Sequence, residues 1–364
     1  MTLLLPIIIV FSIYAFYFVI ITYQIFKILR IYNRHKRRED ISEAHKFFMF
    51  RRNDLQHWRC FKKLEFYLSA IFLLPTRLTL LILSSLNLII LIKIFSYLKK
   101  FYIVRVFIRW NIRVYSRLML FLAGFYYIKT THMKLTNFIA NYQENQKSYY
   151  PLIVCNHISW VESVFLMSKF SGSFIAKNEF EKMPIISHIG VFLDLLYIDR
   201  SNGDERQQIL RDIGERVKKK NEIPLIIFPE GTTSNGTALL TFKKGSFYFM
   251  NPLKIICIKY PRKNFNPFLD DVTGMGTNVL LSFCQFYNSM EVVEFDVLEP
   301  KNLENVDKWE DYAKVVRMVM GQCLKIKQVE MGYRDSLKYG EFLMNKKGKK
   351  TKKIRSLEKI LSNS

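Results

Sequence analysis

Acidic side chains are scarce in this 364-residue chain: 31 Asp and Glu stand against 55 Lys and Arg, leaving a net charge of +24 at neutral pH. Such an excess calls for an anionic partner, nucleic acid or acidic lipid. Cysteine is scarce too. Cys60, Cys155, Cys257, Cys284 and Cys323 are scattered with no CxxC pair, which excludes a disulfide framework and a zinc site and suits a reducing compartment. There is no internal repeat and no recognisable RNA- or DNA-binding module, and the positive charge surrounds apolar segments, which sets nucleic acid aside in favour of a membrane. Hydrophobic residues make up 50% of the chain and charged residues 24%, too apolar for disorder and too charged for membrane spans alone.

Charge is absent altogether from Leu3 to Phe26. A helix of that length spans a hydrocarbon core of roughly 30 Å. A cleaved signal peptide calls for a positive leading region, a shorter apolar stretch and a small-residue cleavage site; none is present, so residues 1–26 are expected to be a retained transmembrane anchor. The basic linker that follows, 27–65, opens with Lys27, Arg30, Arg34, Lys36, Arg37 and Arg38, a flank that belongs in the cytosol. A second apolar stretch, 66–98, is interrupted by Leu74-Pro75-Thr76-Arg77 and is basic on both flanks. Proline removes a helix hydrogen bond and arginine is costly at bilayer depth, so this stretch reads as a re-entrant membrane hairpin, with a single span over 78–98 as the alternative. Over 99–128 the residues Arg105, Arg109, Arg113 and Arg117 recur every four positions among Phe, Ile, Val and Leu. That spacing predicts a helix with one basic stripe, either lying at the lipid headgroups or packed as an ordinary surface helix.

From about residue 134 the pattern changes. Short apolar runs (151–155, 173–176, 195–198, 224–228, 254–258, 291–297) alternate with helical stretches (159–170, 202–220, 241–250, 308–326). The alternation predicts an α/β domain over 134–326 with a mixed sheet flanked by helices, followed by a basic tail over 327–364.

Three strand-end loops carry chemistry. In Asn156-His157-Ile158-Ser159-Trp160-Val161-Glu162, the histidine sits in a strand-to-helix turn and the acid five residues later lies in the first helical turn. A carboxylate that orients one ring nitrogen leaves the other free as a general base; the plainer reading is a turn histidine and a glutamate favouring the helix N-terminus. Ser159 reads as the cap of that helix, and Cys155 as the end of a buried strand rather than a nucleophile. The loop Phe228-Pro229-Glu230-Gly231-Thr232-Thr233-Ser234-Asn235-Gly236 exposes backbone N–H groups that suit a phosphate or an oxyanion, or else simply connects two elements. Arg200, closing Tyr197-Ile198-Asp199-Arg200, grips a phosphate or pairs with Asp199. Sites in α/β folds gather at strand ends of this kind.

These residues resemble the motifs of the glycerolipid (PlsC-like) acyltransferase superfamily, and within it most nearly the acyl-CoA:lysophosphatidylcholine and lysophospholipid acyltransferases. The first motif matches at Asn156, His157 and Glu162, the second at Tyr197–Arg200, the third at Phe228–Gly236 and the fourth at Pro252–Pro261. The resemblance covers about 60–325 and implies a PlsC-like fold. It also implies His157 and Glu162 as the catalytic pair, with Arg200, Glu230, Gly231 and Thr232 binding the acceptor. No metal or resident cofactor is implied; acyl-CoA is a co-substrate, a lysophospholipid the acceptor and the bilayer a partner, with the endoplasmic reticulum as compartment and the catalytic domain facing the cytosol. Two positions depart from the family: Glu162 stands where Asp is usual, and Thr233 where the phosphatidic-acid-forming members carry Arg. The second leans away from a phosphate monoester acceptor towards a capped head group, choline or ethanolamine. Acylation of glycerol-3-phosphate or lysophosphatidic acid is the alternative on the same scaffold, and a non-catalytic lipid-binding protein the alternative of another class.

Overall fold

The computed structural model describes residues 8–9, 11–16, 18–20, 22–23, 26, 44–52, 54, 58–142, 149–198, 203–218, 223–261, 265–270 and 274–344. Much of the expected anchor and most of the linker, Arg200 and the tail beyond 344 lie outside the described residues.

Three helices come first: α1 (Cys60–Phe72), α2 (Leu74–Ser96) and α3 (Tyr102–Leu122). The interruption at Leu74-Pro75-Thr76-Arg77 is a kink and not a reversal. Leu73 keeps helical dihedrals (φ −97°, ψ −36°), and the amides of Leu73 and Arg77 still reach the carbonyls of Ser69 and Leu73. Pro75 falls in the first turn of α2, where a missing N–H costs little. The chain turns back later, between Tyr97 and Phe101: Phe95 packs on Phe107 with ring centroids 5.4 Å apart and Ser85 bonds Tyr115 at 2.9 Å, so α2 and α3 run antiparallel. The reversal expected within 66–98 is absent: 74–96 is one continuous helix, close to the single helix over 78–98 given as the alternative, and its antiparallel neighbour is α3.

Arg77 is spared the bilayer. Its guanidinium is buried in the protein and donates to the carbonyls of Phe283 and Gln285, both at 2.6 Å. The arginine stripe of α3 also bonds to the protein: Arg109 donates to the Phe192 carbonyl, Arg113 to the Ser171 hydroxyl and Arg117 to the Phe125 and Tyr126 carbonyls. α3 exposes the apolar Ile103, Val106, Trp110, Val114 and Phe121 together with Arg113 and Arg117.

The remaining chain builds a seven-stranded sheet in the order β1-β8-β7-β2-β5-β3-β4, from β1 (Ile128–Met133), β2 (Leu152–Cys155), β3 (Ser173–Lys177), β4 (Leu196–Ile198), β5 (Leu225–Ile227), β7 (Leu253–Lys259) and β8 (Met290–Leu298); β6 (Ala238–Leu239) pairs separately with β9 (Lys327–Gln328). Only β7 and β8 run antiparallel, so the sheet is mixed, as the alternation predicts. Side chains alternate between two cores. Ile153, Cys155, Ile226 and Ile256 join residues of α1, α3, α4 (Trp160–Phe170) and α8 (Met275–Phe283) on one face. On the other face Leu152, Val154, Leu225 and Ile255 pack with α7 (Gly203–Lys218) and α9 (Trp309–Leu324). The short α5 (Asn178–Glu181) and α6 (Pro184–Leu193) link β3 to β4.

Two segments differ from the sequence reading. The helix expected over 241–250 is reduced to one 3₁₀ turn, Lys244–Ser246, because Thr241 is held extended by the Met331 carbonyl and Lys243 by the Pro229 carbonyl. Residues 327–344, read as the start of a basic tail, form β9 and α10 (Tyr333–Met344), which sets Tyr339 against Met49 and Phe50.

Candidate active site

The central neighbours β7, β2 and β5 run parallel, so the segments leaving their C-terminal ends meet at one edge of the sheet. His157 follows β2, Phe228 to Gly236 follow β5, and Tyr260 follows β7. Asn156 stitches the first to the third: its side chain donates to the Ile258 carbonyl at 3.0 Å and accepts the Ile258 N–H at 2.8 Å, extending the β2–β7 ladder by one side chain.

α4 begins with a reciprocal cap. Ser159 Oγ accepts the Val161 N–H, and Glu162 Oε2 returns to accept the Ser159 N–H at 2.6 Å and that of Ile158 at 3.1 Å. This folding-back carries the Glu162 carboxylate, which is fully buried, to 3.1 Å from His157 Nδ1. A carboxylate only accepts, so Nδ1 donates and the neutral ring keeps Nε2 unprotonated. The imidazole is 21% exposed and stacks on Phe228, centroids 4.0 Å apart and planes 13° apart. The structure thus brings the two catalytic candidates together, and the ring has an open side from which to take a proton.

Tyr260 completes the group and was not singled out by the sequence. Its hydroxyl donates to Glu162 Oε1 at 2.5 Å. The only signal was the apolar run ending in Tyr-Pro, which carries no hint of a partner on α4. Cys155 beside the dyad is buried, and burial, reinforced by the charges of Glu162 and Glu230, pushes its thiol well up, which leaves it inert as a nucleophile.

Glu230 does not lie open to an acceptor. It is 1% exposed, with Oε1 on the His157 N–H at 2.9 Å and Oε2 on the Leu240 N–H at 3.0 Å. It clamps the loop after β5 to the turn that holds His157, and its burial keeps it from the surface that an acceptor would meet. Gly231, at φ +68°, and Thr232 are half-buried at the rim of the same turn. Gly236 is required as glycine: φ is +74°, and a Cβ there would stand 2.7 Å from Ile158 Cδ1, one residue past His157. Thr233 donates to the Leu269 carbonyl, and Asn235 holds the carbonyls of Phe48 and Arg51, so the third motif is tied down on both sides. Among the described residues no cluster of three or more His, Cys, Asp or Glu could hold a metal.

Burial raises the Glu230 carboxyl to about 7, against the pull of its two N–H donors. Its ordinary value is 4.5, so the folded state holds this proton more tightly than the unfolded chain and stability falls as pH rises from about 4.5 to about 7. At about 1.4 kcal/mol per pH unit the loss is on the order of 3 kcal/mol. Thermal midpoints of the detergent-solubilised protein at pH 5 and pH 8 check this against Glu230→Gln. The wild type is expected to lose more on going to pH 8, and equal losses would refute it.

Residues 139–258 match the protein-family model described as Acyltransferase. The lysophospholipid acyltransferase LPEAT1 of Arabidopsis thaliana is 30% identical over 246 residues, covering 62% of this chain and 61% of that protein. A lysophosphatidylcholine acyltransferase of Drosophila melanogaster is 33% identical over 187 residues, 50% of this chain and 35% of that protein. The chain thus spans less than two thirds of the length of either relative. Among solved structures, the 1-acyl-sn-glycerophosphate (LPA) acyltransferase PlsC of Thermotoga maritima superposes with a TM-score of 0.45 and 18% identity, covering 68% of this chain and 96% of that one. The stretch that matches the Acyltransferase model, 139–258, takes in both the turn of His157 and Glu162 and the loop of Glu230.

Proposed function

We propose that the protein is a membrane-bound, acyl-CoA-dependent acyltransferase that esterifies the free hydroxyl of a lysophospholipid, of the lysophosphatidylcholine or lysophosphatidylethanolamine kind, in phospholipid synthesis or remodelling. The observation that carries the reading is the half-open imidazole whose Nδ1 is tied to a buried carboxylate, at the edge where three strands end. His157 Nε2 takes the hydroxyl proton as the oxygen attacks the thioester carbonyl; the C–O bond forms, the C–S bond breaks, and the proton passes to the departing CoA sulfur. No acyl-enzyme is needed. Gly231 and Thr232 line the acceptor side, with Arg200 as the phosphate cation.

A membrane location is supported by α2, a 23-residue helix long and apolar enough by length and composition to cross a bilayer, and by its exposed Leu80, Leu83, Leu86, Ile90 and Ile94 beside the apolar face of α3. Both substrates have lipid tails, so a site beside such a surface meets them where they reside. The basic flanks favour the cytosolic side of the endoplasmic reticulum.

The test is purified protein in detergent with radiolabelled oleoyl-CoA and a panel of lysophospholipids, lysophosphatidic acid and glycerol-3-phosphate. Label is expected in phosphatidylcholine or phosphatidylethanolamine. Preference for glycerol-3-phosphate or lysophosphatidic acid would replace the acceptor assignment, and no transfer by folded protein would refute the enzyme.

A further inference from the structure

We propose that Tyr260 is a positioning residue for the acyl transfer proposed above: its phenol fixes the Glu162 carboxylate, which in turn orients His157. The inference rests on that reading of the site and adds to it a residue from outside the turn.

The two oxygens of Glu162 have different company. Oε2 accepts from the imidazole Nδ1 and from the backbone amides of Ile158 and Ser159, all within the same turn. Among the described residues Oε1 has a single partner, the Tyr260 hydroxyl, 98 residues away in sequence. The carboxylate is fully buried, so no water replaces that partner if it is lost. A carboxylate held at one end only is free to swing about its last side-chain bond, and the imidazole swings with it.

Tyr260 is itself firmly placed. It follows β7, which pairs with β2 in register, and its ring is 6% exposed with Phe125 edge-on at 6.2 Å. Burial, reinforced by the neighbouring Glu162 charge, pushes its hydroxyl well above the ordinary tyrosine range, so it remains a donor at any working pH. The arrangement also gives the extra methylene of Glu162 a use. From the third position of α4 the side chain has to reach back to its own N-terminal turn and across to the neighbouring strand end at once.

The experiment compares wild type, Tyr260→Phe, Glu162→Gln and the double variant, as full-length protein in detergent, with radiolabelled oleoyl-CoA and the best acceptor of the panel. Phenylalanine keeps the ring and its packing and removes only the hydroxyl. Tyr260→Phe is expected to lower kcat by roughly ten- to a hundredfold, the scale of one hydrogen bond to a buried charged group, with KM for both substrates unchanged. In the Glu162→Gln background the same change is expected to cost nothing further, because the carboxylate through which it acts is gone. A wild-type kcat in Tyr260→Phe would overturn the proposal, as would a rise in KM alone or an equal loss in both backgrounds. The last is also what a variant that merely folds poorly would give. Wild type active with Tyr260→Phe unaffected refutes the positioning role alone; wild type inactive on every acceptor refutes the acyl-transfer reading and this role with it.

Discussion

Alanine at position 157 is expected to lower acyl transfer by about 10²–10⁴-fold, the usual contribution of a positioned general base, while binding of acyl-CoA is retained. The expectation follows from how the imidazole is held. Glu162 fixes Nδ1 and Phe228 fixes the ring plane, so the one ring nitrogen left for chemistry has a defined direction before substrate arrives. Removing the ring removes that base and leaves the rest of the turn standing, since the His157 backbone N–H to Glu230 and carbonyl to Ser234 do not involve the side chain. The thermal midpoint should accordingly move little, because the imidazole is partly exposed and the Glu162 oxygen it leaves keeps the amides of Ile158 and Ser159. Initial rates with labelled acyl-CoA, alongside acyl-CoA binding by the same sample, decide the matter. A loss under tenfold would show that positioning of the two substrates, and not proton abstraction, carries the rate. Glu162→Gln should fall between the two proteins. Its amide matches the shape of the carboxylate, but it presents a donor towards either the Tyr260 hydroxyl or the amides that Oε2 now accepts.

What the sequence reveals of this site divides along contact distance. His157 and Glu162 are five residues apart in one strand–turn–helix, and such a turn has few ways to fold, so their meeting is legible from spacing alone. Ser159 as cap is legible for the same reason. The partnership of Glu162 with Tyr260 depends on β7 lying beside β2, which is a property of strand order and leaves no mark in either local stretch. Glu230 misled in the other direction. The resemblance offers it to the acceptor, yet the amide of His157 from the strand next door and that of Leu240 from its own loop's far end hold it in the interior. The arginines of α3 left two readings open because a four-residue spacing defines a face without saying what covers it; Arg109 and Arg117 reach the carbonyls of Phe192 and Phe125, while Arg113 and Arg117 remain exposed. β1 and α10 went unread for a related reason: the burial pattern of β1 is almost wholly exposed, and α10 hides its packing against residues 44–50 behind a charged sequence.

Arg77→Ala is expected to destabilise the whole protein by about 3 kcal/mol or more, the scale of losing several charge-assisted hydrogen bonds in a buried place. One amino group of the guanidinium donates to the carbonyls of Phe283 and Gln285, and the other to the Tyr126 hydroxyl at 2.5 Å and the Phe286 carbonyl at 3.3 Å. These acceptors close the end of α8 and the loop leading to β8, and the Tyr126 hydroxyl comes from the link between α3 and β1. A single side chain at the base of the apolar helix α2 therefore pins that helix to the sheet's outer half. Alanine leaves the carbonyls facing a cavity without a donor. Lysine is not expected to rescue the loss, because one ammonium cannot present the planar fork that reaches carbonyls on two sides. Thermal melts in detergent of wild type, Arg77→Ala and Arg77→Lys measure this, with both variants expected well below wild type. A lysine variant that melts with the wild type would show that charge alone suffices there. Because Arg77 lies outside the catalytic turn, its variants should lose activity in proportion to folded protein: kcat per folded molecule stays, and the apolar helix is what comes loose.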